Sequence, residues 1–179
     1  MNILTDSNYI TYYPSPLGLL KIKFNIYGLV GIDFEEKLKE IKSNCKANFY
    51  QDKRLLRNYN LIFDQLNEYF TGKRHIFDLP LILDGSEFEM KVWSYLMKIP
   101  YGKTAAYSEV ASSIGHPKAA RAVGNANKKN PIAIVIPCHR VIGADGSLHG
   151  YASGVWRKKW LLKHELKNSI KLERKNCLV

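Results

Sequence analysis

Ser108-Glu109-Val110-Ala111-Ser112-Ser113-Ile114-Gly115-His116-Pro117-Lys118-Ala119-Ala120-Arg121-Ala122-Val123-Gly124-Asn125-Ala126-Asn127 is the stretch whose reading decides the fold of the second half of this 179-residue chain. Ser108 to Ile114 reads as a short helix closed by Gly115, and His116-Pro117 as a tight turn. A further helix is expected from Lys118 to Asn127. Two short helices joined by a tight turn form a helix-turn-helix. The second helix of such a pair commonly enters a DNA groove, although many such pairs are plain structure.

Upstream, Ser86 is placed to cap a helix with Glu89 three residues on, the pattern of a capping box. Phe88, Val92, Tyr95, Leu96 and Ile99 then mark one buried face until Pro100 stops the helix. Downstream, Ile132 to Ile136 reads as an apolar strand running into Pro137-Cys138-His139-Arg140. Gly143 to Gly150 is rich in turn formers and reads as a hairpin-like loop. Val155 to Lys167 is expected as a last helix, with Trp156, Trp160, Leu161 and His164 on one face.

The first half reads differently. Tyr9 to Tyr13, Leu19 to Asn25 and Gly28 to Phe34 are short apolar or alternating runs separated by turn chemistry at Ser15 to Gly18 and Asn25 to Gly28. Leu61, Ile62, Leu66, Tyr69 and Phe70 recur at helical spacing, so Asn58 to Phe70 is expected as a helix ended by Thr71-Gly72. Leu79 to Leu83 runs extended into Asp84-Gly85, a natural boundary. The expected organisation is residues 1–84, residues 85–168 and a frayed polar tail at 169–179. There is no internal repeat.

Hydrophobic residues make up 46% of the chain and charged residues 24%, the profile of a globular protein. No apolar run approaches the roughly 20 residues needed to span a bilayer, so no membrane association is expected. Met1 to Ile10 lacks the basic and apolar segments of a secretory signal. Cys45, Cys138 and Cys177 are too few and too scattered for a disulfide framework. A reducing, cytoplasmic setting is therefore expected. Twenty-seven Lys and Arg against 16 Asp and Glu give a formal charge of +11. That excess fits a polyanionic partner, and it equally fits mere solubility.

Cys138 beside His139 is the sharpest chemical feature. A thiolate is a nucleophile, so a working cysteine needs a group that takes its proton. Adjacent side chains on an extended strand point apart, so a functional pair requires a turn or an intervening water. A histidine used in this way generally has a third group fixing its orientation, commonly a carboxylate. Spacing alone does not name that carboxylate. A buried structural cysteine beside a chance histidine stays open on the dipeptide alone.

From Glu87 to Glu165 the chain resembles, almost throughout, the C-terminal domain of the O6-alkylguanine-DNA alkyltransferases (methylated-DNA–protein-cysteine methyltransferases). The likeness is carried by Val92-Trp93, Ile99-Pro100-Tyr101-Gly102-Lys103-Thr104, Tyr107, Arg121-Ala122-Val123-Gly124, Asn130-Pro131, Pro137-Cys138-His139-Arg140-Val141-Ile142, Gly150-Tyr151 and Leu161-Leu162-Lys163-His164-Glu165. The N-terminal part is also similar, from Ser15-Pro16-Leu17-Gly18 to Phe77-Asp78-Leu79-Pro80-Leu81, and the likeness is weakest over residues 37–57 and after Glu165.

The resemblance implies an α/β N-terminal domain (small sheet plus helix, RNase H-like). A mostly helical, winged-helix-like, DNA-binding C-terminal domain would follow. It also implies single-turnover DNA repair, an alkyl group passing from O6-alkylguanine to Cys138. His139 would take the thiol proton through water, Glu165 would hold the imidazole, and Asn130 would brace the turn presenting the cysteine. Tyr107 would donate to the guanine ring, and the carbonyls of Cys138 and Val141 would read its exocyclic amine. Arg121 would fill the gap left by a flipped nucleotide, with Ala120, Ala122 and Gly124 allowing close approach to the minor groove. Tyr151, Ala152 and His149 would line the base pocket. The implied partner is double-stranded DNA carrying O6-alkylguanine, met by a monomer with no cofactor.

The match departs at His149, where the family usually has glycine, and at Ala152-Ser153-Gly154. An imidazole at 149 would narrow the pocket in favour of methyl, or else point into solvent. Some relatives hold zinc in the N-terminal domain, but Cys45 and His75 are too few for a tetrahedral site, so no metal is expected. Two other classes compete: a winged-helix regulator that binds DNA or senses alkylation without chemistry, and a cysteine-dependent hydrolase that turns over.

Overall fold

A computed structural model describes residues 7–35, 51–148 and 150–176, with residues 172–176 as backbone alone. The chain divides into two compact units, Met1–Leu83 and Asp84–Val179.

In the first unit, β1 (Tyr9–Ser15), β2 (Gly18–Phe24) and β3 (Leu29–Phe34) form an antiparallel sheet in the order β1-β2-β3. Alternation places Thr11, Tyr13, Leu20, Ile22, Ile32 and Phe34 in the interior. The register pairs Tyr13 with Leu20 and Leu20 with Phe34, so these side chains meet across the strands. Helix α1 (Lys53–Phe70) covers them, burying Leu55, Ile62, Leu66 and Tyr69. It starts five residues earlier than its apolar spacing suggests, because the Asp52 side chain accepts from the Arg54 N–H and caps it. Polar anchors fix the helix on the sheet: the Tyr13 hydroxyl donates to Asn67 at 2.7 Å, and the Asn58 amide to the Asn25 carbonyl at 2.8 Å. The extended segment after α1 meets the sheet at one bridge, Leu29 with Leu81.

The second unit is mostly helical. Helix α2 (Glu87–Leu96) begins with the capping box read from Ser86 and Glu89. Two-residue β4 (Ala105–Ala106) leads into α3 (Tyr107–Ser113), then α4 (Ala120–Lys128) follows as the second member of the helix-turn-helix. Gly115 has φ +82, the left-handed value at which a helix readily ends. The indole of Trp93 donates to the Ala126 carbonyl at 3.0 Å and ties α2 to α4. A one-turn 3-10 helix, Cys138–Arg140, runs into β5 (Val141–Ile142), which pairs in parallel with β4.

Two further expectations are corrected in this unit. Ile132–Ile136 is a tight loop rather than a strand, closed by the Ile136 N–H on the Ile132 carbonyl at 3.0 Å, with Ile134 at φ 75. The last helix, α5, spans Val155–Asn176 and so passes through the residues read as a frayed tail. Lys167 to Asn176 contains no glycine or proline and is rich in helix formers, so nothing there ends it. Among the described residues no helix is long and apolar enough to cross a membrane.

Candidate active site

The site grows from the loop that precedes Cys138. Asn130 holds both ends of that loop, accepting from the Ile132 N–H at 3.0 Å and donating to the Ile136 carbonyl at 2.8 Å. Between them Ile134, a β-branched residue, occupies the left-handed region, a strain of about 1–3 kcal/mol. The loop delivers Pro137 and starts the 3-10 turn at Cys138, whose N–H bonds back to the Ile136 carbonyl. Cys138 is a free thiol, and it is buried. The turn supplies the change of direction that a strand would not, sending the side chains of Cys138 and His139 into one unit's interior.

His139 is wholly buried, and its Nε2 lies 2.8 Å from Oε1 of Glu165, which projects from α5 and is also wholly buried. Arg140 grips the same carboxylate twice, from Nε to Oε2 at 2.9 Å and from Nη2 to Oε1 at 3.0 Å. Its third donor, Nη1, reaches the Ile99 carbonyl at 2.6 Å. A fourth bond to Glu165 comes from the Gly102 N–H at 3.1 Å. Gly102 sits at φ +74, and a Cβ there would come within 2.6 Å of the Ser169 hydroxyl, so the turn and α5 can approach this closely at glycine.

Burial alone would raise the Glu165 carboxyl, but His139 and Arg140 hold it well below the usual carboxylate range. Burial pushes the His139 imidazole down, against the pull of Glu165. The pair therefore rests as carboxylate and neutral imidazole. With Nε2 donating to Glu165, the remaining lone pair is on Nδ1, a buried atom without a hydrogen-bond partner among the described residues. Burial also pushes the Cys138 thiol up, opposed by the Asn130 amide, the charge of Lys158 and the Tyr151 hydroxyl.

Pairing of β4 with β5 sets Ala106 beside Ile142 and so brings Tyr107, the first residue of α3, next to the cysteine turn. Burial and the charge at Cys138 raise the Tyr107 hydroxyl, and the Asn127 amide opposes this. Gly124 of α4 faces the Tyr107 ring, since a Cβ there would stand 3.8 Å from Cε1. Cys138, His139, Glu165, Asn130, Tyr107, Val141 and Tyr151 are thus gathered at one place. On α4, Arg121 and Ala122 are exposed, Ala120 and Gly124 are half-buried, and Ala152 is exposed in the loop after Tyr151. His149 lies outside the described residues, as does Cys45. Among the described residues no group of three or more His, Cys, Asp and Glu is gathered as a metal ion would require.

Sequence reasoning gave no role to Arg140, Asn127 or Lys158. It also put Trp156 on the inner face of α5, whereas Trp156 is exposed and Lys158, Leu161 and Glu165 are buried. The spacing 158, 161 and 165 is itself an inward helical stripe, and a lysine on it is the signal that could have been read.

The chain is similar to known proteins over both of its units. The profile described as "6-O-methylguanine DNA methyltransferase, DNA binding domain" matches residues 87–167. The profile of the companion "ribonuclease-like domain" matches residues 8–83. A methylated-DNA–protein-cysteine methyltransferase of Methanosarcina barkeri is 47% identical over 160 residues, covering 89% of this chain and 98% of that protein. The chain belongs to the methylated-DNA–protein-cysteine methyltransferase family.

Another member, from Mycobacterium bovis, is 57% identical over 102 residues, covering 57% of this chain and 62% of that protein. A crystal structure of Mycobacterium tuberculosis OGT in complex with DNA superposes with a TM-score of 0.77 at 39% identity, covering 89% of this chain and 94% of that one. The family's fold, a small N-terminal sheet domain followed by a mostly helical DNA-binding domain, is the fold described above.

Proposed function

We propose that this chain repairs double-stranded DNA by moving the alkyl group of O6-alkylguanine irreversibly onto Cys138, once per molecule. The observation that carries the reading is the buried series Glu165, His139, Cys138, with the imidazole fixed so that its free lone pair is on Nδ1. A water between Nδ1 and the thiol carries the proton from Cys138 to His139, and Glu165 stabilises the imidazolium. The Cys138 sulfur attacks the alkyl carbon in line. The new S–C bond forms as the C–O6 bond breaks, and the electron pair moves onto the guanine. Tyr107 donates to the guanine ring as that charge develops.

Such a displacement makes and breaks its bonds without a metal or cofactor, and a thioether has no easy reversal. Arg121, exposed on α4, fills the stack when the target nucleotide is flipped. Ala120, Ala122 and Gly124 let α4 approach the DNA, and Tyr151, Ala152 and Val141 line the base pocket. The protein acts as a monomer in the compartment that holds the DNA, with residues 1–84 as scaffold and 85–168 as the working domain. The +11 charge favours the phosphate backbone.

Incubation with a duplex labelled in its O6-methyl group tests this. Label should pass to protein until one methyl is bound per molecule and then stop. Continued release of methanol would mark a hydrolase instead.

A further inference from the structure

Lys158 is a buried charged side chain that the mechanism above does not use. A lysine on a helix ordinarily carries its ammonium to water, because a buried charge is costly. This one is 1% exposed. Its Nζ donates to the Val141 carbonyl at 2.6 Å and lies 5.7 Å from the centroid of the Tyr107 ring. Val141 closes the turn that carries Cys138, its N–H donating to the Cys138 carbonyl, so the ammonium sits against that turn. One buried cation therefore adjoins the nucleophile, the expected proton donor and a carbonyl of the base pocket.

From this placement we propose that Lys158 is a positioning residue with two tasks. Its charge stabilises the Cys138 thiolate at the moment of attack, and its N–H fixes the Val141 carbonyl. The inference rests on the reading of Cys138 as the nucleophile. It adds a second source of thiolate stabilisation beside the His139–Glu165 pair, drawn from the same face of α5 two turns before Glu165. Both contributions come from the same helix, Glu165 through His139 and Lys158 directly.

The groups facing Cys138 are Lys158 from α5, Tyr151 from the following loop, Tyr107 from α3 and Asn130 from the preceding loop, with His139 adjoining in the turn. Of these, Lys158 carries positive charge near neutral pH, and the tyrosines are neutral. Burial pushes the thiol up, and the lysine opposes that rise. The lysine pays for its own burial with a lowered pKa, offset in part when the thiolate forms beside it.

The test titrates Cys138 in the absence of DNA. The rate of its alkylation by iodoacetamide is followed against pH on the Cys138 peptide, so that Cys45 and Cys177 do not contribute. Lys158→Met keeps the length of the side chain without charge or donor. Lys158→Gln keeps a donor for Val141 without charge, and either folded variant suffices. The midpoint of reactivity should rise by about one pH unit in both, the scale expected when a neighbouring opposite charge is removed. Lys158→Arg should restore it in part. A midpoint unchanged in the neutral variants would overturn the proposal even if repair were slowed, and so would a fall, because a packing defect that opens the site to water relieves the burial of the thiol and lowers its midpoint. The same wild-type protein is offered O6-methylguanine duplex in parallel. Failure there would remove the reading of Cys138, whereas transfer with an unmoved midpoint would remove only the role of Lys158.

Discussion

Nε2 of His139 and Oε1 of Glu165 lie 2.8 Å apart with both side chains wholly buried, and Arg140 holds the same carboxylate by two further bonds. The arrangement fixes the imidazole's tautomer and neutralises a charge that would otherwise be costly to bury. Glu165→Gln breaks both functions. Leaving Arg140 without its counter-charge should destabilise the protein by about 3 kcal/mol, measured by urea unfolding. Methyl transfer should slow by roughly 100-fold or more in protein that remains folded. Unchanged transfer would show that the imidazole needs no carboxylate.

Stability should fall on both sides of neutrality. The folded pKa of His139 lies below its ordinary value of 6.5, so the unfolded chain binds more protons and stability is lost as pH falls below that value. Glu165, also depressed, contributes stability above its ordinary 4.5 that is lost as pH drops further. Cys138 has the opposite sign. Its raised thiol favours the folded state up to its ordinary value of 9.0, and that contribution is lost as pH rises beyond it. Denaturation followed from pH 4 to 10 should trace this dome, and His139→Gln should flatten the limb beginning near pH 6.5.

Asn130→Ala removes the two bonds that close the loop around Ile134. A loss of about 2 kcal/mol is expected, together with slower transfer, because the backbone is then free to leave its strained conformation. Calorimetry and single-turnover kinetics measure the two effects. Loss of stability with transfer intact would separate the loop from the presentation of Cys138.

Arg121 is exposed on α4, so Arg121→Ala should change stability by no more than about 0.5 kcal/mol. Repair of a lesion within a duplex should slow by about tenfold or more, since flipping costs a few kcal/mol that the arginine offsets. Reaction with free O6-methylguanine base should be unaffected. Equal loss on both substrates would place the arginine's role elsewhere.

The elements were legible where local chemistry sets them. Ser86 with Glu89 began a helix, Gly115 ended one, and alternating runs became the three strands of the first unit. The loop at Ile132–Ile136 was not legible, because an all-apolar run reads as a strand unless the side chain of Asn130 is known to close it. Cys138 and His139 were marked by their adjacency, and Glu165 by the family resemblance. Arg140 and Lys158 were hidden by the general rule that cations stay in water. They break it because carboxylate, carbonyl and thiol acceptors wait for them inside, and those partners lie up to 41 residues away in the chain. Helical spacing also set Trp156 on one face with Trp160, Leu161 and His164, whereas the inward stripe of α5 runs through Lys158, Leu161 and Glu165 and leaves Trp156 exposed.

The central claim is most directly tested by peptide mass spectrometry after incubation with a duplex carrying one O6-methylguanine. A gain of one methylene confined to the peptide containing Cys138, and absent in Cys138→Ser with DNA binding retained, is the predicted result. DNA binding with no gain on any peptide would contradict it and leave a protein that recognises DNA without performing chemistry.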